Sequence, residues 1–191
     1  PNNVAICMAG DFDPDKTIAL LDQYFSGWKP GNDVSQPVFP KLGPPTAPVD
    51  TTVVGQQAEM LLMAWPAERA SSLQCDTLYV IGDILSNGKA GLIDLDLNQA
   101  MKVQEAQAGL ESLQDYSGFL FIGVPKQGQD LKEVRQLLLD EIGKLKRGEF
   151  SDDLLSSVIN NKKLNFFRSL DNNRFRVSRF MNAFINGTEW E

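Results

Sequence analysis

The chain has 191 residues, of which 42% are hydrophobic, a proportion that is ordinary for a globular protein with a buried core. Its formal net charge of −7, from 18 basic and 25 acidic residues, argues against a surface that binds nucleic acid or an anionic membrane by electrostatics. No apolar stretch approaches the roughly 18 residues that a membrane-spanning helix needs. We therefore expect no nucleic-acid partner and no membrane-spanning segment.

The sequence contains no histidine and only two cysteines, Cys7 and Cys75. The lack of histidine excludes Ser-His-Asp and Cys-His nucleophile systems and every zinc motif that uses imidazole. The two cysteines lie far apart and have no metal-ligand spacing, so buried free thiols are the simpler interpretation. We expect neither catalytic residues nor metal ligands in this chain.

The first predicted elements are a short strand over residues 4–9 and a helix that begins near Pro14. Gly10 ends the apolar run, Asp13 has the position of an N-cap, and Asp15 falls in the first helical turn, where it complements the helix dipole. Ile18, Leu21 and Phe25 recur at helical spacing, with Tyr24 beside them, and Gly27 is predicted to end the helix. The acidic residues thus suit a joint between a strand and a helix.

A calcium loop is the alternative interpretation of the same acids. Asp11, Asp13 and Asp15 match the first three ligand positions of such a loop, and Asp22 falls at the twelfth. Lys16, however, stands where the sharp turn of the loop requires glycine. The pattern therefore favours the joint over the metal site.

The middle of the chain predicts an extended crossing, two strands and two helices. Six prolines between Lys29 and Pro48 indicate the extended crossing. Strands are predicted over residues 51–54 and 59–65, with Pro66 ending the second. A helix is predicted from about Ser72 to residues 87–88, and a second helical pattern follows within residues 88–103, with Leu92, Leu95 and Met101 as its candidate apolar positions.

The remainder predicts a β-hairpin and three helices. Residues 105–113 and 118–124 read as two strands joined by a polar turn. Asp130 with Glu133 predicts a capping box for a helix that ends at Gly148. Ser151 caps the next helix, and a last helix is predicted over residues 172–185. The fold class is therefore α+β, a mixed or antiparallel sheet backed by helices.

Three stretches together resemble a known family. They are NNVAICMAGDFDPDKTIALLDQYF, the glycine-led NGKAGLIDLDLN, and LLLDEIGKLKRGEFSDDLLSSVINNKKLNF. Their order is similar to that in the C-terminal-type domain of the pitrilysin/insulinase (M16) zinc metallopeptidases, which implies an M16 metallopeptidase-like (LuxS/MPP-like) domain. The resemblance implies that residues 1–191 form a single domain, a fragment of a longer multi-domain chain that encloses unfolded peptide in a chamber.

The resemblance also implies where the chemistry lies. Members of this family bind zinc through an inverted H-x-x-E-H motif in another copy of the fold, and this chain has no histidine with which to form that motif. We therefore expect a noncatalytic domain that follows the zinc-binding domain of its parent. Its expected partners are that catalytic domain of the same chain and the unfolded peptide substrate.

Three arginines are the candidate substrate contacts. Some members of the family hold substrate with an arginine and a tyrosine on a late helix, and NNRFRVSRFMNAF supplies Arg174, Arg176 and Arg179 but no tyrosine. The alternative is a solvated basic face of a helix whose phenylalanines lie in the core, namely Phe175, Phe180 and Phe184.

Two other functions remain compatible with the sequence. The chain could be a structural copy of the fold, like the core subunits of larger assemblies, without a role in peptidase activity. It could also be an unrelated α+β ligand-binding or interaction module. An H-x-x-E-H motif elsewhere in the parent chain would favour the peptidase over the structural copy.

The purified chain should neither cleave peptides nor retain zinc, because it offers no histidine and no cysteine cluster. Elemental analysis and a peptidase assay measure both properties. Stoichiometric zinc that is lost when a carboxylate is mutated would contradict this prediction.

Overall fold

The structure is a computed structural model that describes residues 3–31, 43 and 45–189. Five α-helices, three strands and one π-helix follow one another along this part of the chain. In chain order they are α1 (Pro14–Phe25), β1 (Leu61–Ala67), α2 (Leu73–Leu85), the π-helix (Asp94–Gln99), β2 (Glu105–Glu111), β3 (Ser117–Val124), α3 (Leu131–Arg147), α4 (Asp152–Ser169) and α5 (Asn173–Asn186). The predicted α+β class, with an antiparallel sheet backed by helices, is confirmed.

The three strands form an antiparallel sheet in the order β1-β3-β2. Because successive side chains of a strand point to opposite faces, the register divides the strand residues into two sets. The covered face carries Leu61, Met63 and Trp65 of β1, Phe119, Phe121 and Gly123 of β3, and Ala106, Ala108 and Leu110 of β2. Helices α2 and α3 and the π-helix contribute most of the other residues that pack against this face.

The core lies between the covered face and these helices. Its fully buried side chains come from three helical elements and the central strand, namely Leu85, Ile93, Leu97, Val134, Leu138 and Phe121. Aromatic edges add to the packing, since the Phe121 ring lies 5.4 Å from that of Trp65 and 5.3 Å from that of Phe119. Burial of these apolar groups supplies the main driving force for the fold.

The last two helices attach to the outside of this layer. Lys162 of α4 forms an ion pair with Asp83 of α2, with 2.7 Å between Nζ and Oδ2, and its amino group lies over the ring of Tyr79. Val158 is the buried residue of α4, and Ala183 is that of α5. These helices therefore rest on the domain through a few contacts and leave much apolar surface exposed.

The predicted helix starts are confirmed. The side chains of Asp13, Ser72, Asp130, Ser151 and Asn172 each accept a hydrogen bond from a backbone N–H in the first turn of the helix that follows. Gly148 ends α3 in the left-handed conformation at a φ of 69°, as predicted. The capping box is only half formed, because the Glu133 carboxylate accepts a hydrogen bond from the Gln129 side chain.

Two predicted strands are wrong. Residues 4–9 and 51–54 pair with no strand of the described sheet. Their apolar side chains are exposed, including Val4 and Val54 at 57% and 93%. An apolar run becomes a strand only where a neighbour accepts and donates its backbone hydrogen bonds, and the sequence pattern does not say whether that neighbour is available.

Two further details differ from prediction at β1 and β2. Pro66 does not end β1; it lies within the strand, opposite Gly118. Proline is tolerated there because β1 is an edge strand of the described sheet, where one side of the backbone needs no partner. Strand β2 ends at Glu111, two residues earlier than predicted, and the hairpin with β3 is confirmed.

The predicted second helix is shorter and wider than expected. Over Asp94–Gln99 it is a π-helix, in which the N–H of Ala100 donates to the carbonyl of Leu95 five residues earlier. Ile93 and Leu97, which are four residues apart, are fully buried. Of the three predicted apolar positions, Leu92 is buried, whereas Leu95 and Met101 are exposed.

The predicted extended crossing, residues 29–48, lies partly outside the described residues. Within the described ranges, no helix has both the length and the hydropathy that crossing a membrane requires.

Gly123 allows α3 to lie close to the central strand, so Gly123→Ala should destabilise the domain. An added Cβ would lie 2.5 Å from Cγ1 of Val134 and 3.2 Å from Cδ1 of Leu138, and overpacking of this kind costs about 1–3 kcal/mol. Gly109→Ala is the matched control in the same sheet, because its Cβ would meet nothing within 4 Å. Urea unfolding measures both variants, and equal effects would contradict the prediction.

Candidate functional site

The three predicted substrate-contact arginines all lie on α5, but they do not share one face of it. At about 100° per residue, Arg174 lies about 160° from Arg176 around the helix, while Arg176 and Arg179 are about 60° apart. Arg174 and Arg176 are exposed, and Arg179 is partly buried. The helix therefore brings Arg176 and Arg179 to one side and turns Arg174 away from them.

Two of these arginines have contacts within the chain. The guanidinium carbon of Arg179 lies 4.7 Å from the centre of the Phe166 ring, which is a cation–π contact between α5 and α4. Arg176 donates from Nη1 to the side-chain oxygen of Asn173 at 3.4 Å. The phenylalanines expected in the core are not buried: Phe175 and Phe184 are 37% and 51% exposed.

The second face of the sheet is not covered by the helices that pack on the first. Here β1 presents Leu62, Ala64 and Pro66, β3 presents Gly118, Leu120, Ile122 and Val124, and β2 presents Glu105, Gln107, Gly109 and Glu111. We call this set of residues the open face. Leu62 is 56% exposed, Leu120 and Ile122 are partly exposed, and the β2 side chains Gln107 and Glu111 are exposed. The open face is thus an apolar surface bordered by acidic and amide groups.

A buried carboxylate shapes the glycine-led loop between α2 and the π-helix. Asp94 is only 5% exposed, and its side chain accepts from the backbone N–H groups of Asn87 at 2.8 Å, Gly91 at 3.0 Å and Lys89 at 3.2 Å. Gly91 leaves no room for a side chain, because a Cβ would lie 2.5 Å from the carbonyl oxygen of Leu85. Asp94 therefore satisfies the backbone N–H groups of the loop.

A second buried carboxylate joins α3 to the π-helix. Glu141 is 2% exposed, and Lys144 forms an ion pair with it at 2.8 Å and also pairs with Asp96. Burial raises the pKa of Glu141, which outweighs the lowering effect of the Lys144 hydrogen bond. The hydrogen bonds to Asp96 and Glu141 raise the pKa of Lys144. In the part of the chain that the structure describes, Oε2 of Glu141 has no hydrogen-bond partner.

The sequence analysis missed both buried carboxylates. A signal for Glu141 was present, because it shares a helical face with Val134, Leu138 and Leu145 at spacings of three and four residues. Asp94 follows the glycine of the loop by three residues, which is the spacing at which an acidic side chain in the first helical turn accepts from the backbone N–H of the residue that precedes the helix. Both spacings predict the positions of these groups but not their burial.

The described ranges contain no group of three His, Cys, Asp or Glu side chains that could share a metal ion. The whole sequence also lacks the usual set of zinc ligands. It has no histidine, and its two cysteines, Cys7 and Cys75, are 68 positions apart. The residues present do not fit a zinc centre of the M16 type.

The architecture defines the class of protein first: an α+β domain whose antiparallel sheet is covered by helices on one face. The model of the family described as "Peptidase M16 inactive domain" matches residues 1–162. The chain belongs to this family. The predicted family is therefore confirmed, and the alternative of an unrelated α+β module is wrong.

Solved structures agree on the fold. A protease from Helicobacter pylori matches with a TM-score of 0.78 and 20% identity, over 93% of this chain and 44% of that protein's chain. The periplasmic protease PqqL from Escherichia coli matches with a TM-score of 0.60 and 14% identity, over 94% of this chain and 21% of its own. The chain thus spans less than half the length of either protease. No curated protein matches.

The buried Glu141 should make stability depend on pH. Because its pKa is raised on folding, its favourable contribution is present below about pH 4.3, the ordinary pKa of glutamate, and is lost as the pH rises through the raised value. The free energy of unfolding of the wild type should therefore fall, relative to that of Glu141→Gln, as the pH rises above about 4.3, the ordinary pKa of glutamate.

Urea unfolding at several pH values measures this difference. Glu133→Gln removes an exposed carboxylate from the same helix and is the control for the general effect of losing one negative charge. A difference in the free energy of unfolding between wild type and Glu141→Gln that stays constant as the pH rises above about 4.3 would contradict the prediction.

Proposed function

We propose that this chain is a noncatalytic domain of an M16-type zinc endopeptidase and forms part of the wall of its peptide-enclosing chamber. The observation that carries the proposal is the match to the M16 inactive domain over residues 1–162. The likeness in fold to two proteases, over nearly the whole of this chain, supports it. Residues 1–191 would be a single domain of a longer chain that also contains the catalytic domain.

The open face is the surface that suits the chamber wall. The opposite face of the sheet is filled by α2, α3 and the π-helix, so it is not available to a peptide. The open face offers partly exposed leucine and isoleucine side chains together with an amide and carboxylates. An unfolded peptide presents mixed apolar and polar groups, and a surface of this composition contacts it without demanding one sequence.

The catalytic zinc would be held by another domain of the parent chain. This chain supplies no histidine for an H-x-x-E-H motif, and its buried carboxylates Asp94 and Glu141 are engaged by the loop backbone and by Lys144. When bound in the catalytic domain, zinc would activate the water that attacks the peptide bond. The contribution of this chain would be to hold and orient the peptide and to close the chamber.

Deletion of this domain from the full-length enzyme should abolish turnover of long peptides while zinc stays bound in the neighbouring domain. Long peptides depend on the wall for their position, whereas the zinc ligands lie elsewhere. Steady-state kinetics with long and short peptides, together with elemental analysis, measure the two effects. Undiminished cleavage of long peptides by the deletion variant would exclude the chamber role. It would favour a structural copy of the fold.

The substrate-contact role of the α5 arginines is tested separately. If Arg174, Arg176 and Arg179 bind substrate in its ground state, neutralising all three to glutamine should raise KM more than it lowers kcat. Arg174→Gln alone is the internal control, because Arg174 lies on the other side of α5 from Arg176 and Arg179. Unchanged kinetics in the triple variant would contradict the role and support a solvated basic surface.

A further inference from the structure

The open face carries a cleft over the edge strand β2. Its volume is about 180 Å³, and its lining includes Gln107, Gly109, Glu111, Leu120 and Ile122. Gly109 lies opposite Leu120 in the register, and a side chain at this position would meet no atom within 4 Å. The missing side chain at position 109 therefore contributes the space of the cleft.

The size of the cleft limits its occupant. Sites for small organic molecules usually have volumes of roughly 300–1,000 Å³. A cleft of about 180 Å³ is smaller than this range and suits one side chain of a larger molecule. An extended peptide that crosses the open face would present such side chains one at a time.

The lining of the cleft is amphipathic. Leu120 and Ile122 are partly buried and provide its apolar floor, while Gln107 and Glu111 are exposed and stand at its polar border. The side chains that combine a long apolar stem with a polar end are those of lysine and arginine, which lay their methylene groups on apolar surface and keep the charge in water. The shape and the polarity of the cleft thus match a basic side chain.

The charges on the open face also suit a basic side chain. None of its residues is basic, and its two ionisable residues are Glu105 and Glu111, both on β2. In the described ranges, the ion pairs of the chain involve other carboxylates, so the Glu111 carboxylate has no cation beside it. A cation from outside the chain would find Glu111 exposed and available.

We propose that this cleft binds one lysine or arginine side chain of an unfolded peptide, with the stem on Leu120 and Ile122 and the charge at Glu111. This inference rests on the proposed function, in which peptide crosses the open face. It adds a preference for basic peptides to a wall that otherwise accepts many sequences.

The test measures binding of two labelled peptides to the 191-residue chain by fluorescence anisotropy. The peptides share one sequence, except that a single lysine in the first is norleucine in the second, which keeps the stem and removes the charge. The wild type should bind the lysine peptide about two- to fivefold more tightly, as expected for an exposed ion pair. Glu111→Gln should remove this difference and leave the affinity for the norleucine peptide unchanged.

Two further variants locate the effect. Gly109→Val should weaken the binding of both peptides, because its side chain occupies the cleft. Glu105→Gln removes the other carboxylate of the same face and strand but does not line the cleft, so it should keep the preference for lysine. Thermal melting of each variant establishes that it is folded. If Gly109→Val does not fold, the result with Glu111→Gln alone tests the inference.

Equal affinities of the wild type for the two peptides, or a preference that survives in Glu111→Gln, would overturn the inference. Either result would leave the proposed role in the chamber wall unaffected, because that role is tested by the turnover of long peptides in the deletion variant. Conversely, full turnover in the deletion variant would remove the chamber role while the lysine preference is still measured directly.

Discussion

The contact between helix α3 and the central strand β3 is the constraint on which the rest of the domain depends. Gly123 has no side chain, so Val134 and Leu138 lie directly against the strand and are fully buried. The same helix carries Glu141 and Lys144 to the π-helix one turn further on. This close approach therefore fixes the distance between α3 and the sheet, and α3 in turn buries Glu141 and pairs Lys144 with Asp96 of the π-helix.

The helices could be predicted from the sequence because their signals are local. A cap such as Asp13 or Ser72 bonds to backbone groups three residues away, so the pattern and the structure report the same interaction. The sequence wrongly predicts a strand over residues 4–9, because a strand forms only where a partner distant in sequence is available to pair with it. The π-helix was also missed, because one wider turn leaves no mark in the composition or the apolar spacing of the segment.

The features of the candidate site also fall into those that the sequence predicts and those that only the structure shows. The lack of histidine is a property of composition, and it excludes an H-x-x-E-H zinc motif from this chain without any structure. The open face, by contrast, exists only through the pairing of β2 with β3, which brings Gly109 beside Leu120. For the three arginines, the predicted helix and its period of about 100° per residue already place Arg174 away from Arg176 and Arg179, and the structure adds the contact of Arg179 with the Phe166 ring.

Pro66 has a consequence for the solubility of the domain. A sheet with two edge strands in its described part exposes rows of backbone donors and acceptors, which invite pairing between copies and aggregation. A proline in an edge strand offers no N–H, so a strand that adds to the outer edge of β1 meets an interruption in the ladder near one end. On the opposite edge, Glu105 and Glu111 at the two ends of β2 would bring like charges together if two copies aligned antiparallel. The two edges thus discourage self-association by different means, one through a missing hydrogen-bond donor and one through electrostatic repulsion.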